Sequence, residues 1–562
     1  MTDRMSNATH EQAHERRVDV AILGGGIAGN LVARQLRLRL PDVSIALFEK
    51  DTERGYKVGE SSVEIASNFF IRKVGLSTYM YDEQLPKNGL RFFFDTKEKN
   101  ASLFQMSEVG SNKMPMIPTF QIDRARFERD LFEMNRKAGI EVSIGVTVKG
   151  FELKSATEGP DAGETHGHAF TVVADDGTET RYRARWVIDA SGRSQLISKQ
   201  RGYRVPEKHQ CGSVWGRFTD VTDMDSLMEG ASAQHAFGMP DVAQQVQPGW
   251  TGAEAWKSRV NHTARVLSTV HFCYRGYWIW FIPIAQGITS LGVVGEVFEP
   301  WMATEEGFFQ FLRGHSAVAS LLTNAKCLDV GHYARYTYAT KKFFGGEERW
   351  AMIGEAAAFS DPFYSPGSDY ISIESDMITD MVVRDFAGES FEQRKERSDT
   401  YDEFMRFRYE ATMLLYRNQY PVLGSYETMR LKWNFDIACY YNLWLDFFMR
   451  DYHLDLRKIR EQLRRKEYVL QALRNFSELF QKLVSELETS GQYHRKNLGE
   501  YNDGTDLLYF QQEIGRERKK GAVNQRTEEV FNFCLTEAHR ILGGQGKREL
   551  ELAQFMEQAP LG

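Results

Sequence analysis

Short apolar runs that stop at a glycine recur three times along the chain and set its plan. Val18 to Leu23 runs into Gly24, Gly26 and Gly29; Trp186 to Ile188 runs into Asp189, Ala190, Ser191 and Gly192; Trp350 to Ile353 runs into Gly354 and Glu355. Runs this short and apolar predict buried strands of a parallel sheet, and the small residues let backbone approach a ligand at their carboxyl ends. Between the first two lies a further apolar strand, Val43 to Phe48, closed by Glu49 and Lys50. A parallel sheet needs crossovers and gathers ligands at the carboxyl ends of its strands, so the junctions near 24, 189 and 354 are expected to build one cavity from distant pieces.

The pattern elsewhere fills in the architecture. Ser61 or Ser62, after Gly59 and Glu60, is placed to cap a helix, and Pro86, Asn88 and Gly89 mark a turn into a strand Leu90 to Phe94 with Lys87 at its mouth. By composition alone a lysine there is expected to be solvated. A helix carries Arg124, Arg126 and Arg129, one of which can reach a cofactor phosphate or ring edge, with surface ion pairing as the alternative. Residues 143–188 read as strands around a polar loop. From 200 to 345 aromatic and β-branched residues increase, and Val266–Tyr274, Tyr277–Pro283 and Thr289–Val294 predict neighbouring antiparallel strands of a substrate domain. In the second of these, Trp278 and Trp280 share one side while Ile279 and Phe281 take the other; a ligand-facing wall and a packed sheet face both account for the pair.

Pro362, Ser365, Pro366 and Gly367 predict a stiff turn ahead of a helix from about Asp369, and the chain reads as largely helical from 371. Apolar residues from Leu456 to Leu483 recur at helical spacing with a slip near Arg465, on a helix expected to pack over the substrate domain, a partner surface being the alternative. Before it, Trp433, Tyr440, Tyr441, Trp444, Phe447 and Phe448 either line an apolar substrate channel or pack a core. Residues 488–520 read as a loop, followed by a short helical end from about Thr527. The expected organisation is a polar, disordered tail at 1–17, a cofactor domain at 18–200 completed by 346–390, a mainly substrate domain at 201–345 and a helical region at 391–562.

Composition narrows the function classes. With 77 acidic against 70 basic residues and a formal charge of −7, nothing favours nucleic acid or an anionic membrane. The five cysteines are scattered without a C-x-x-C, which argues against a disulfide framework or a metal site, and a reducing, cytoplasmic setting is expected. The first residues lack the apolar core of a signal peptide, and no transmembrane run is present in the sequence.

The chemistry starts at the first junction. Gly24, Gly26 and Gly29 have the G-x-G-x-x-G spacing after a strand: the first permits a tight turn, the second lets backbone approach a pyrophosphate, the third lets helix pack on sheet, and the free amides of the helix start take the phosphate charge. Glu49, 25 residues after Gly24, is placed to accept hydrogen bonds from ribose hydroxyls. A cavity assembled from three junctions argues for FAD, which needs contacts along its whole length.

On the pieces GGGIAG at 24–29, VGES at 58–61, KNGLRF at 87–92, DASGR at 189–193, WIWFIP at 278–283 and FSDPFYSPG at 359–367, the chain resembles the flavin-dependent halogenases, relatives of the single-component flavin monooxygenases. The likeness covers about residues 17–380. The W-x-W-x-I-P form, met by Trp278, Trp280, Ile282 and Pro283, and Lys87, 27 residues beyond Glu60, are its discriminating signals. It implies an α/β fold: a Rossmann-like FAD-binding domain of the glutathione-reductase and aromatic-hydroxylase type, intercalated with an antiparallel-sheet substrate domain and followed by a helical C-terminal region. It further implies FAD contacts from Gly24, Gly26, Gly29, Glu49, Lys50, Glu60, Ser61, Arg124, Asp189, Gly192, Gly354, Glu355 and Pro362, and a halide site at Ser365, Pro366 and Gly367. Glu355 departs from the aspartate common at that position in such flavoproteins; the longer carboxylate still reaches a ribityl hydroxyl with altered geometry.

The resemblance also implies a mechanism. FAD arrives reduced, as FADH2, from a separate flavin reductase, and with oxygen converts chloride or bromide to hypohalous acid. The acid travels to the catalytic Lys87, which holds it by hydrogen bond or as a haloamine beside an electron-rich aromatic substrate, free or carrier-bound, while Trp278 and Trp280 keep substrate from the flavin. A lysine suits this role because desolvation makes its neutral amine accessible. The alternative on the same fold is an FAD-dependent hydroxylase of an aromatic or lipid-like substrate.

Overall fold

A computed structural model describes residues 15–53, 55–153, 166–227, 256, 258–260, 262–296, 299–503, 521–543 and 551–557. Among the described residues there are two eight-stranded sheets, two two-stranded sheets and a helical region. In the first sheet, Trp350–Met352, Glu179–Asp189, Glu15–Leu23, Ile45–Glu49 and Glu141–Ile144 lie side by side in parallel. Leu23 pairs with Asp189 and with Phe48, and Asp189 with Met352, so the strands that precede the three glycine junctions end at one level of one edge. The first strand starts at Glu15, inside the stretch read as a tail; residues 1–14 of that stretch lie outside the described residues.

The second sheet runs Lys326–Tyr333, Gly212–Thr219, Thr289–Gly295, Tyr277–Pro283, Thr269–Tyr274, Leu90–Phe94, Ser107–Gly110 and Tyr501–Asn502. Most of its pairs are antiparallel, but Thr269–Tyr274 lies parallel to Leu90–Phe94. Residues 90–110 and 501–502 therefore belong to the sheet of the expected substrate domain, across the boundaries drawn from sequence. Strand alternation decides its two faces: Ile279 and Phe281 enter a core with Phe93, Phe272 and Phe308, while Trp278, Trp280 and Ile282 enter one with Phe92, Tyr420 and Trp433. Edge charge is buried too. Glu108 receives Arg91 at 2.5 Å, Arg265 at 3.0 Å and Arg259 at 3.3 Å, all inaccessible to solvent.

The helical region begins with Gly367–Phe386, two residues before the expected Asp369, and continues through Phe391–Leu414, Tyr426–Cys439 and Lys466–Thr489. The slip near Arg465 is a break between Leu456–Leu463 and Lys466–Thr489. Their apolar faces pack on Phe391–Leu414 and the neighbouring helices, not over the second sheet as expected, because Leu470, Phe476, Phe480 and Leu483 join the core formed with Phe435 and Phe531. The terminal helix starts at Ala522, ahead of the expected Thr527; of the loop read at 488–520, residues 504–520 lie outside the described residues. Among the described residues no helix is long and apolar enough to cross a membrane.

Candidate active site

The first junction has the geometry its glycines require. Gly24 has φ +112°, and a Cβ there would lie 2.3 Å from the carbonyl oxygen of Ala190; a Cβ on Gly29 would lie 1.9 Å from that of Gly24. Gly26, the N-cap of Ile27–Arg39, differs: a Cβ would meet nothing within 4 Å, so this glycine leaves room in front of the free amides of a helix start. Glu49 accepts from the amide of Gly25 at 2.5 Å and from that of Asp51 at 2.9 Å, which fixes its carboxylate at the end of its strand. Lys50 stands exposed beside Asp51.

At the second junction the Asp189 carboxylate is inside its own turn, accepting from Ser191 Oγ at 2.6 Å and the Ile197 amide at 2.8 Å, with Gly192 at φ +57°. At the third, Gly354 has φ +61° and donates its amide to Glu374 at 2.6 Å. Glu355 is half-buried, and its desolvation raises its carboxyl above the usual range against the pull of Arg193, Arg124 and Lys57. Of these cations, Lys57 and Arg124 are paired with Glu128, at 3.3 Å for the lysine. Arg124 also donates to the Val58 carbonyl at 2.7 Å. Open space at Gly26, before the free amides of a helix start, and a fixed acidic strand end fit a dinucleotide stretched across the sheet edge.

Glu60, Ser61 and Ser62 sit differently from expectation. The Glu60 carboxylate is buried against Arg217 at 2.8 Å. Neither serine caps the following helix, Glu64–Asn68, whose N-cap is Val63. Ser62 Oγ instead donates to the Phe120 carbonyl at 2.9 Å, and Ser61 Oγ accepts from Lys87 Nζ at 2.7 Å. Lys87 lies in a short strand, Leu85–Lys87, paired to Thr119–Gln121, and its Nζ also donates to the Ser62 carbonyl at 2.8 Å. Far from solvated, it is 1% exposed. Burial lowers its pKa to about 7 although the Glu64 and Asp369 carboxylates pull the other way.

Lys87 lines a cavity with about 110 Å³ of room for water centres. Pro366 lines it as well, bringing the turn after Ser365, at φ +55°, to the same space; Gly367 opens the helix behind it. The far side comes from the helical region: Trp433, Tyr440, Tyr441 and Trp444, the last three on a π-helical turn at Tyr440–Leu445. Of the aromatic stretch noted in the sequence these four face the cavity, whereas Phe447 stacks on Phe404 and Phe448 on His453. With Lys87, the charged residues of the lining are Asp369, Glu64, Arg408 and Asp436. Sequence reasoning passed over these four, since each sits in a helix whose charges look like a solvated face.

Trp278 and Trp280 stand outside that lining with ring centroids 5.8 Å apart, Trp278 against Phe363 of the 359–367 turn. A slot holds Trp280, since its neighbour Gly292 has no side chain where a Cβ would strike the indole at 2.3 Å. Pro362 lies between Asp361 and Phe363. Asp361 Oδ2 receives His209 at 2.8 Å and Tyr420 at 2.8 Å, with Cys211 Sγ at 3.5 Å, so the buried His209, Cys211 and Asp361 are held by hydrogen bonding among protein groups.

A sheet edge shaped for a dinucleotide, beside a second sheet and a closed aromatic cavity, defines an FAD-dependent oxidoreductase; a family model described as FAD binding domain matches residues 17–265. Among curated relatives, the flavin-dependent halogenase chlA of Dictyostelium discoideum is 26% identical over 463 residues, covering 78% of this chain and 71% of that protein. The 1H-pyrrole-2-carbonyl-(peptidyl-carrier protein) chlorinase of Pseudomonas fluorescens is 24% identical over 398 residues, covering 66% and 78%. In fold the chain is similar to halogenase PltM, solved with phloroglucinol and FAD, at a TM-score of 0.57 and 15% identity over 96% of this chain and 98% of that one. The chain is thus similar in sequence and fold to the flavin-dependent halogenases, and that likeness supports their general chemistry of FAD, oxygen and halide.

Proposed function

We propose that this protein is an FADH2-dependent halogenase in which Lys87 passes halogen to an electron-rich aromatic substrate held in the cavity beside it. Lys87 carries the reading: it is buried, it is oriented by Ser61 and the Ser62 carbonyl, and its ammonium gives up its proton near pH 7. FAD, supplied reduced by a separate reductase, would contribute, with molecular oxygen as the oxidant, the conversion of chloride or bromide to hypohalous acid. The remaining work falls to the chain. Gly26 and the helix start behind it receive the pyrophosphate, Glu49 the adenosine ribose and Glu355 the ribityl chain. Ser365, Pro366 and Gly367 hold halide at the turn that borders the cavity, and Lys87 receives the hypohalous acid by hydrogen bond or as a haloamine. The aromatic walls Trp433 and Trp444 orient the substrate ring and exclude water. Trp278 and Trp280, packed on the 359–367 turn, keep substrate from the flavin side. The chlorinase relative is named for a carrier-bound pyrrole and the PltM structure holds phloroglucinol; both are electron-rich aromatic rings.

The test is Lys87→Ala and Lys87→Arg, assayed with FAD, a flavin reductase, NADH and each halide on a panel of aromatic compounds. Both variants should retain FAD and consume reduced flavin and oxygen, yet lose far more than tenfold in halogenated product. A residual rate within about tenfold of wild type, a change of only ~1.4 kcal/mol, would remove Lys87 from the reaction.

A further inference from the structure

The cavity beside Lys87 holds a cation whose buried N–H groups find no hydrogen-bond acceptor among the described residues. Arg408, on the helix Phe391–Leu414, lines the cavity and is 2% exposed. Its Nε and Nη1 are buried without a hydrogen-bond partner, and among the described residues it makes no ion pair. It lies instead over ring faces, 5.0 Å from the centroid of Tyr370 and 4.8 Å from that of Trp444. A buried guanidinium without a partner is costly, and two aromatic faces offset only part of that cost.

The acids nearby have other duties. Asp369 accepts from the Ala66 amide and the Tyr440 hydroxyl, each at 2.9 Å, and Glu374 accepts from the Gly354 amide at 2.6 Å. Burial raises both carboxyls, to about 7 and about 8, against the pull of Arg408, and neither meets the guanidinium in a hydrogen bond. A second donor of the lining, Trp433 Nε1, is also buried without a partner. Of the unpartnered acceptors there, Asn88 Oδ1 is neutral and Asp436 Oδ1 belongs to a carboxylate already paired with Lys432 at 2.7 Å. Glu64, the remaining acid of the lining, accepts from the Tyr441 hydroxyl at 2.5 Å. What Arg408 lacks, among the described residues, is an acceptor within hydrogen-bonding reach of its Nε and Nη1.

We infer that the substrate is a free aromatic compound bearing an anionic oxygen substituent, a ring carboxylate or a phenolate, and that Arg408 binds that oxygen between the Tyr370 and Trp444 rings. A planar guanidinium suits a carboxylate in particular, because two parallel N–H groups can meet both oxygens. A carrier-bound thioester brings a neutral carbonyl to the same place and leaves the cation unmatched. Arg408 is thereby a specificity residue: it selects which aromatic ring reaches Lys87.

The inference rests on the halogenase reading only for taking this cavity as the substrate's, and binding without turnover separates the two. FAD-loaded wild type, Arg408→Gln and Arg408→Lys are titrated calorimetrically with 3-hydroxybenzoate and its neutral match 3-hydroxybenzamide, and by absorbance with 4-nitrophenol, whose ionised form is coloured. Wild type should favour the benzoate over the amide by at least about tenfold, and Arg408→Gln should lose at least about 30-fold for the benzoate but under about threefold for the amide. Arg408→Lys should keep the preference in weakened form. Nitrophenol bound coloured by wild type and colourless by Arg408→Gln supports the phenolate as the oxygen source. Equal losses for both benzoyl probes, no loss for either, or displacement of the benzoate by chloride in competition would each overturn the inference. If Arg408→Gln fails to retain FAD, Arg408→Lys decides: loss of all preference for the benzoate there also overturns it. Charge-selective binding with no halogenation of any compound would leave Arg408 in place and count against the halogenase reading alone.

Discussion

Tyr420 donates its hydroxyl to Asp361 Oδ2 at 2.8 Å, so the helical region and the 359–367 turn share one buried carboxylate. Tyr420 also accepts the indole N–H of Trp278 at 3.4 Å, and Asp361 Oδ1 holds the amide of Phe363 at 2.9 Å. The tryptophan of the second sheet, the turn and the helices are thus tied at one point. Tyr420→Phe should cost about 1–3 kcal/mol, read from denaturant melts, because it strips a donor from a buried carboxylate. If Trp278 and the turn work as a barrier, the same variant should release more peroxide per reduced flavin consumed. Unchanged coupling would reduce this network to a stability role.

The glycines at the first junction should separate binding from folding. Gly26→Val places a side chain where the structure has open space, so the protein should melt close to wild type and emerge without FAD. Gly29→Ala drives a methyl into the Gly24 carbonyl and should lower the melting temperature itself. Full FAD content in purified Gly26→Val, measured by absorbance, would move the pyrophosphate elsewhere.

Lys87 should impose a pH dependence on halogen transfer. Burial is the main cause of its lowered pKa, about 7 against an ordinary 10.5, so the neutral amine grows as pH rises through 7. Product formed per flavin consumed should rise across that window if the amine is the acceptor. Stability has the same sign: between about 7 and 10.5 the unfolded chain binds the extra proton, so raising pH favours the folded state. A flat profile from pH 6 to 9 in substrate-saturated assays would argue for transfer by the ammonium as a hydrogen-bond donor.

Glu108 is the buried charge on which the second sheet's edge depends. Burial pushes its carboxyl up, but Arg265, Arg91 and Arg259 overcome this and hold it at about 2. Its folded pKa lies below the ordinary 4.5, so its contribution is complete above 4.5 and fades as pH falls toward 2. Glu108→Gln leaves three arginines buried around a neutral amide and should cost about 3–5 kcal/mol. Chemical denaturation at pH 7 and pH 3.5 checks both statements: the variant's deficit should be smaller in acid.

Much of this molecule was legible in its linear pattern because the relevant forces are local. Apolar runs stopped by glycine marked the parallel strands, since only small residues pass where Gly29 packs on Gly24. Period two put Trp278 and Trp280 on one face and Ile279 and Phe281 on the other, and the slip at Arg465 marked a helix break. The motif at Lys87 singled out a lysine that composition alone would have left in solvent. Tertiary structure decided the rest, because it depends on partners far away in sequence. Ser61 and Ser62 had the signature of a helix cap but turn to Lys87 and Phe120, and Glu60, expected beside a cofactor, meets Arg217 from the other sheet. Residues 90–110 left the domain that their position suggested because Leu90–Phe94 finds its hydrogen-bonding partner at Thr269–Tyr274. The cavity itself was beyond any reading of spacing: Lys87, Pro366, Arg408 and Trp433 come from four separate segments, and the desolvation that sets the charge of Lys87 and leaves Arg408 N–H groups without an acceptor exists only once those segments close over them.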